Sequence, residues 1–135
     1  MGFLGRLRTA FTKGERPGLT ADAPGLVVVA ECFDDAEAAS TALTRSGDFR
    51  APDPAVLRHH LSLPVARVAE AAAVVGQDGY TLRELGAGEA GFVLVVAARG
   101  QVVSALECSR ERSRMVSLAS RLGGDARGWD VLQPG

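Results

Sequence analysis

The sequence has few of the residues that build several specialised classes of protein. Its 135 residues include two cysteines, Cys32 and Cys108, and neither has another cysteine or a histidine at metal-ligand spacing. This excludes a disulfide scaffold and a zinc knuckle, so both are interpreted as small buried hydrophobic residues in a reducing cytosol. Aromatic residues make up 5% of the chain, which argues against an RNA-binding sheet that stacks bases.

The chain also lacks an excess of one charge and a long apolar run. Its 15 basic and 16 acidic residues leave a formal net charge of −1, so no bulk field favours nucleic acid or a membrane surface. No apolar stretch reaches the roughly 20 residues of a membrane-spanning helix, and residues 1–12 are too interrupted by arginine for a secretory signal. We therefore expect a cytoplasmic protein without direct nucleic-acid binding, and no metal or cofactor.

Residues 1–25 differ in composition from the rest of the chain. Basic residues outnumber acidic ones there, and residues 14–25 form a linker rich in proline and glycine. The apolar residues recur at spacings that share one helical face: Phe3, Leu4, Leu7 and Phe11. A weak membrane or partner contact through residues 1–12 and a frayed tail are both compatible with this pattern. We interpret residues 1–25 as a flexible basic arm with its linker, and residues 26–135 as a single α/β domain.

The remaining sequence alternates between strand and helix patterns. Apolar or alternating runs predict strands at 26–30, 57–63, 80–85, 92–98 and 129–132. A capping pattern at Asp34 and Glu37 predicts one helix, and Pro64 starts a second with the buried residues Val65, Val68, Ala72 and Val75. The last helix begins at Cys108 or Ser109 and buries Met115, Leu118, Ala119 and Leu122. Arg99–Gly100 either bulges its strand or turns it into a hairpin with residues 102–106.

From about residue 56 the order is strand, helix, strand, strand, helix, strand. Two helices on one face of a four-stranded antiparallel sheet would bury both apolar helical faces, which is the ferredoxin-like α/β sandwich of the α+β class. This plan places residues 57–63 and 92–98 in the two central strands. The strand and helix predicted within residues 26–47 form an N-terminal extension that adds to one edge of the sheet.

Three motifs carry a resemblance to a known family. They are Leu57-Arg58-His59-His60-Leu61, the pair Gly79-Tyr80, and the terminal pattern Gly123-Gly124-x-x-x-Gly128-Trp129-Asp130. Over about residues 34–132 the chain resembles the regulator of ribonuclease activity B family. The resemblance implies a ferredoxin-like, non-enzymatic protein that binds an RNase E-type endoribonuclease and restrains its cleavage of RNA. Ala126 and Arg127 stand where that family usually has an acidic Tyr-Asp, which reverses a charge.

The residues with catalytic potential favour structural interpretations. Neighbouring residues of a strand point to opposite faces, so His59 and His60 cannot chelate one metal ion. We expect His59 to be half-buried and hydrogen-bonded, and His60 to face outward. The glycines at 86, 88 and 91 precede a strand rather than a helix and are interpreted as a turn. We predict no catalytic residue, and we interpret the family signature as structural: His59, His60, Gly123, Gly124, Gly128, Trp129 and Asp130.

Candidate partner contacts lie near the C-terminus. Arginines give the last helix a basic character that suits an acidic partner or a phosphate backbone, although a solvated outer face is the default interpretation. Trp129 is either buried against that helix or an exposed contact residue. The candidate set for a protein partner is Arg110, Arg112, Arg114, Arg127 and Trp129. We predict a regulatory protein-binding module, monomeric or homodimeric, with a small-ligand-binding domain or a membrane-docked adaptor as alternatives.

Overall fold

A computed structural model describes residues 19–135, which form an α+β protein with five strands and three helices. In chain order the elements are β1 (Leu26–Cys32), α1 (Ala39–Thr44), β2 (Pro54–Pro64), a 3₁₀ turn (Val65–Arg67), α2 (Val68–Gly76), β3 (Thr81–Ala87), β4 (Phe92–Val102), α3 (Ala105–Arg121) and β5 (Asp125–Pro134). The contacts predicted for residues 1–12 lie outside the described residues.

The strands form one antiparallel sheet in the order β1-β5-β2-β4-β3. β2 and β4 pair along their whole length, from Pro54 opposite Val102 to Pro64 opposite Phe92. α2 connects β2 to β3 and α3 connects β4 to β5, so each helix links two strands that are separated by one neighbour. The unit of β1 and α1 extends the sheet beside β5.

All three helices pack on one face of the sheet. Alternate residues of β2 turn toward them, and Leu57, Leu61 and Leu63 are fully buried on that side. α2 and α3 enclose one apolar cluster around Leu61 and Met115, while α1 and α3 enclose a second cluster around Leu57 and Trp129. The alternation predicted for residues 57–63 and the buried face predicted for the last helix are both confirmed.

The first helix is shorter than its capping pattern predicts. It begins at Ala39, and its N-cap residue Ala38 supplies no side-chain hydrogen bond. The Asp34 carboxylate instead accepts from the Ala36 N–H at 2.9 Å and closes a tight turn. Glu37, the expected second half of the capping box, pairs with Arg45 at 2.7 Å. The residues that resemble a helix start therefore stabilise the connection between β1 and α1.

The second helix buries a different set of residues from the one predicted. Residues Val65–Arg67 form a 3₁₀ turn, which has three residues per turn rather than 3.6 and so changes the phase of the helix that follows. Val65 is 61% exposed and Ala72 is also exposed, while Ala71 and Val75 are buried. The prediction of Val65 and Ala72 as core residues was therefore wrong.

The Arg99–Gly100 segment continues its strand without a turn. β4 runs on to Val102, and Gly100 pairs with Val56 in β2. The chain then enters α3 at Ala105, after Ser104, whose side chain accepts from the Glu107 N–H at 3.2 Å as an N-cap. Of the two alternatives for this segment, neither the bulge nor the hairpin with residues 102–106 forms, and the last helix starts three residues before Cys108.

Candidate partner interface

The outward face of α3 is the most prominent surface of the helical layer. Its inner face buries Cys108, Met115, Leu118 and Ala119, which follow a helical period. Its outer face exposes two apolar side chains, Leu106 at 59% and Val116 at 48%. The other exposed residues of this helix are serines and arginines: Ser109, Arg110, Ser113, Arg114, Ser117, Ser120 and Arg121.

A groove of about 360 Å³ separates α2 from α3 along this surface. Val75 of α2 and Met115 and Leu118 of α3 give it an apolar floor. The rim carries Arg114 and Arg121 on α3, and Asp78 just after α2. A groove with an apolar floor and a charged rim has the properties of a site for an amphipathic protein segment. We call this site the α2–α3 groove.

Arg114 closes one end of the α2–α3 groove with two carboxylates. It donates to Glu111 Oε2 at 3.3 Å and forms a close ion pair with Asp78. The Glu111 side chain is largely buried, and its other oxygen accepts the Tyr80 hydroxyl at 2.9 Å. Arg114 is therefore already neutralised, whereas Arg121 forms no ion pair with another described residue.

A buried polar layer lies behind Glu111. The Arg99 guanidinium stacks on the Tyr80 ring at 4.4 Å and donates to the Asp78 carbonyl at 2.8 Å. The His59 ring meets Tyr80 edge-on at 5.7 Å. Burial raises the pKa of Tyr80 above its ordinary value, despite the nearby positive charge of Arg99. Through Tyr80 and the Asp78 carbonyl, this layer supports the two acidic residues that hold Arg114 at the end of the groove.

His59 is more buried than the sequence predicts. It is 2% exposed, so the expectation of a half-buried histidine was wrong, and its Nε2 has no hydrogen-bond partner among the described residues. Burial lowers its pKa to about 3, and the positive charge of Arg99 acts in the same direction. The ring is therefore neutral at physiological pH and packs as a core residue.

The predicted partner residues do not form one site. Arg112 points inward and ties α3 to the segment before α1, through the carbonyls of Asp34 at 3.0 Å and Glu37 at 3.3 Å. Trp129 is fully buried in the cluster beside α3, which confirms the first of its two interpretations and removes it from the set of partner contacts. Arg110 is exposed on the outer face of α3. Arg127 is exposed on β5, beside a depression lined by Ser62 and Leu94 on the open face of the sheet.

His60 and Asp130 of the family signature meet on the open face, where Arg58 joins them. Arg58 donates to Asp130 through Nε at 2.7 Å and Nη2 at 2.6 Å. His60 Nε2 lies 3.2 Å from Asp130 Oδ2, outside hydrogen-bond geometry, and its ring contacts Phe33 edge-on. Burial raises the pKa of Asp130, but the two hydrogen bonds from Arg58, together with the nearby His60 ring, outweigh it and hold that pKa below its usual range.

The signature glycines have steric roles. Gly123 adopts a φ of +83° after α3, and the Gly124 N–H donates to the Ala119 carbonyl at 2.8 Å, which closes the helix end. Gly128 adopts a φ of +150°, and a Cβ there would lie 2.5 Å from the Cys32 carbonyl and overlap the Phe33 ring. These positions therefore require glycine to end α3 and to bring β1 against β5.

Two further observations concern metal ions and the membrane. Within residues 19–135, no group of three or more histidine, cysteine or acidic side chains is arranged to hold a metal ion. None of the helices in the described part of the chain is long and apolar enough to cross a bilayer.

The described residues define an α+β protein whose helical layer carries an open groove beside α3. Comparisons with protein-family models, with curated proteins and with solved structures gave no match. The sequence pointed to the arginines of α3 but missed the groove, because Val75 and Asp78 come from α2 and the turn after it, about 40 residues earlier in the chain. Arg121, in the last turn of an amphipathic helix, was the one feature of the sequence that indicated the groove.

Proposed function

We propose that this chain is a non-enzymatic regulatory module of the cytoplasm that binds a protein through the α2–α3 groove. We further propose that its partner is an RNase E-type endoribonuclease, as the motif resemblance implies. The observation that carries the binding site is the groove itself, with Met115 and Leu118 in its floor and Arg121 on its rim.

The fold supports this proposal at the level of topology. The order β5-β2-β4-β3, with α2 and α3 as the two connecting helices, is compatible with a ferredoxin-like sandwich extended by β1 and α1. The segment before β1 covers part of the open face of the sheet, since Leu19 lies over Gly100 and Asp22 pairs with Arg83. We favour the helical side because it combines exposed apolar residues with the α2–α3 groove.

The charges around the groove indicate what the partner supplies. Arg110 and Arg121 are exposed on α3, while the Arg114 charge is offset by Asp78 and Glu111. An amphipathic segment would place its apolar side chains on Val75, Met115 and Leu118 and an acidic side chain near Arg121. Complementary charge at the rim of an interface governs partner choice and association rate.

Purified components test the proposal directly. The intact chain is titrated against the source organism's RNase E-type enzyme by calorimetry, and RNA cleavage is followed as the protein is added. We expect binding and slower cleavage. Arg121→Glu should weaken binding about tenfold, since a lost and reversed rim charge changes the binding free energy by about 1.4 kcal/mol. Arg127→Glu, on the open face, is the matched control and should bind normally.

The results test the identity of the partner and the location of the binding site separately. If the enzyme neither binds nor slows, the ribonuclease partner is wrong. If it binds and only Arg127→Glu weakens the complex, the open face is the interface and the groove is wrong. Both arginines are exposed, so each variant should retain the native fold. Thermal unfolding of both variants verifies this.

A further inference from the structure

The two edges of the sheet are protected to different degrees. β3 forms one edge, where Arg83 and Glu84 carry charge and a bulge between Glu84 and Gly86 interrupts the ladder. Charges and bulges of this kind prevent an edge strand from pairing with another chain. β1 forms the other edge, and no other described strand pairs with its outer side.

The first half of β1 lacks these protective features. Residues 24–30 carry no charge, and Val27 and Val28 are each 46% exposed. The second half is protected, because a bulge falls between Val28 and Ala30 and Arg45 donates to the Glu31 carbonyl at 2.8 Å. An unprotected segment remains at residues 26–28, and we call it the β1 edge.

The backbone of the β1 edge has a defined direction. The Gly135 N–H donates to the Gly25 carbonyl at 3.0 Å, so the groups of Gly25 face β5. Groups alternate along a strand, and hence Val27 also faces β5 while Leu26 and Val28 direct their N–H and C=O groups outward. The β1 edge therefore presents two donors and two acceptors to a strand laid beside it.

We propose that a second copy of this chain pairs with the β1 edge, antiparallel, with Val27 on the two-fold axis. Leu26 of each copy then lies opposite Val28 of the other, and their outward groups form four main-chain hydrogen bonds. The two Val27 residues form a non-hydrogen-bonded pair, whose Cα atoms lie about 4.5 Å apart. The two sheets join into one of ten strands.

The β1 edge fits its own copy better than an unrelated strand for two reasons. In a two-fold pair the same segment faces itself, and the uncharged run from 24 to 30 places no like charges opposite one another. The pairing is also bounded at both ends, because Pro24 has no N–H and the bulge follows Val28. Only the register centred on Val27 uses all four outward groups.

The dimer is weak and leaves the helical groove open. Three residues from each strand bury less than the roughly 1,200 Å² of a standard stable interface, so association is reversible and depends on concentration. α2 contacts β3, at the opposite edge of the sheet from β1. The inference does not depend on the proposed function, although a dimer would present two α2–α3 grooves.

Cysteine cross-linking tests the register in the full-length chain. We expect Val27→Cys to form a disulfide-linked dimer under mild oxidation, because paired Cα atoms at this distance suit a disulfide. Val28→Cys is the matched control, with the same exposure but a different residue opposite it, and should cross-link at least about tenfold more slowly. Both native cysteines are fully buried. Equal rates, or a faster Val28→Cys, overturn the proposal.

Molar mass provides an independent measurement. By sedimentation velocity the native chain should rise from 14.0 kDa toward roughly twice that value as its concentration increases. Val27→Lys puts two positive charges together at the axis and should remain monomeric, whereas Val116→Lys, equally exposed on α3, should behave as the native chain. A native chain that stays monomeric at all concentrations contradicts the proposal, and so does a Val27→Lys dimer.

Discussion

Arg58 on β2 and Asp130 on β5 lie opposite each other in the sheet and form an ion pair with two hydrogen bonds. The Asp130 side chain is 5% exposed, and that of Arg58 is 26% exposed. A buried carboxylate needs such a partner, because its removal from water costs free energy that a paired cation offsets. The pair therefore fixes the register between two strands that are far apart in sequence.

Replacing Asp130 by asparagine should lower the free energy of unfolding by about 2 kcal/mol, since it leaves the half-buried Arg58 without its counter-charge. Urea denaturation followed by the fluorescence of Trp129, the one tryptophan, measures the change. Asp125→Asn, an exposed position on the same strand, should change stability by less than about 0.5 kcal/mol. Equal effects of the two substitutions would show that the ion pair is not the cause.

The stability of the protein should fall as the pH decreases from about 6.5. Burial lowers the pKa of His59 to about 3 in the folded state, while an unfolded histidine binds a proton near its ordinary pKa. Between these two values the unfolded state holds one more proton, so acid favours unfolding. The free energy of unfolding should lose roughly 1.4 kcal/mol per pH unit well below pH 6.5, and the loss ends near the folded pKa.

Denaturation at several values between pH 4.5 and pH 7 isolates the contribution of His59. His59→Gln should remove most of the slope, because the substituted side chain does not titrate. Val116→Gln, an exposed substitution that adds and removes no titratable group, is the control and should keep the slope of the native chain. A native slope in His59→Gln would assign the acid sensitivity to another group.

Two glycine substitutions should have effects of opposite sign. Gly128→Ala places a Cβ against the Phe33 ring and the Cys32 carbonyl, at a φ of +150°, and should destabilise the protein by about 2–4 kcal/mol. Gly76→Ala, at the end of α2, meets nothing within 4 Å and should stabilise it by about 0.5–1 kcal/mol. Thermal unfolding of the three proteins checks both, and a stable Gly128→Ala would mean that β1 can move away from β5.

The Cys108 thiol should be unreactive in the folded protein. Burial raises its pKa to about 12, so little thiolate exists at pH 8. Its alkylation by iodoacetamide should be at least about 100-fold slower in buffer than in urea, by peptide mass spectrometry. Val116→Cys, an exposed position on the same helix, provides a reactive thiol for comparison. Equal labelling of the two thiols in buffer would contradict this burial.

Periodicity in the sequence correctly predicted which face of one strand and of one helix is buried. The alternation at residues 57–63 and the apolar face of α3 were both correct, because each follows from the geometry of a single strand or helix. Local pattern left a bulge or a hairpin open at Arg99–Gly100, since a glycine within an apolar run is compatible with either. The pairing of Gly100 with Val56 excludes both and continues β4.

The sites were harder to predict because their members are distant in sequence. Arg58 and Asp130 are 72 residues apart, and only the register of β2 and β5 brings them together. The arginines of α3 were visible, but their partners were not: Arg112 binds carbonyls before α1, and Arg114 reaches Asp78 after α2. Which arginines remain available to a partner therefore depended on tertiary contacts.

The position of β5 has a consequence for the order in which the protein is made. β5 is the last strand of the chain and lies between β1 and β2, with no direct pairing between those two. A chain growing on the ribosome can pair β2, β3 and β4 before β5 exists, but β1 then has no strand to pair with and is held only through the contacts of its connection and α1 with α3. The sheet is therefore completed only when the C-terminal residues emerge, and a chain truncated before Asp125 would lose every main-chain pairing of β1.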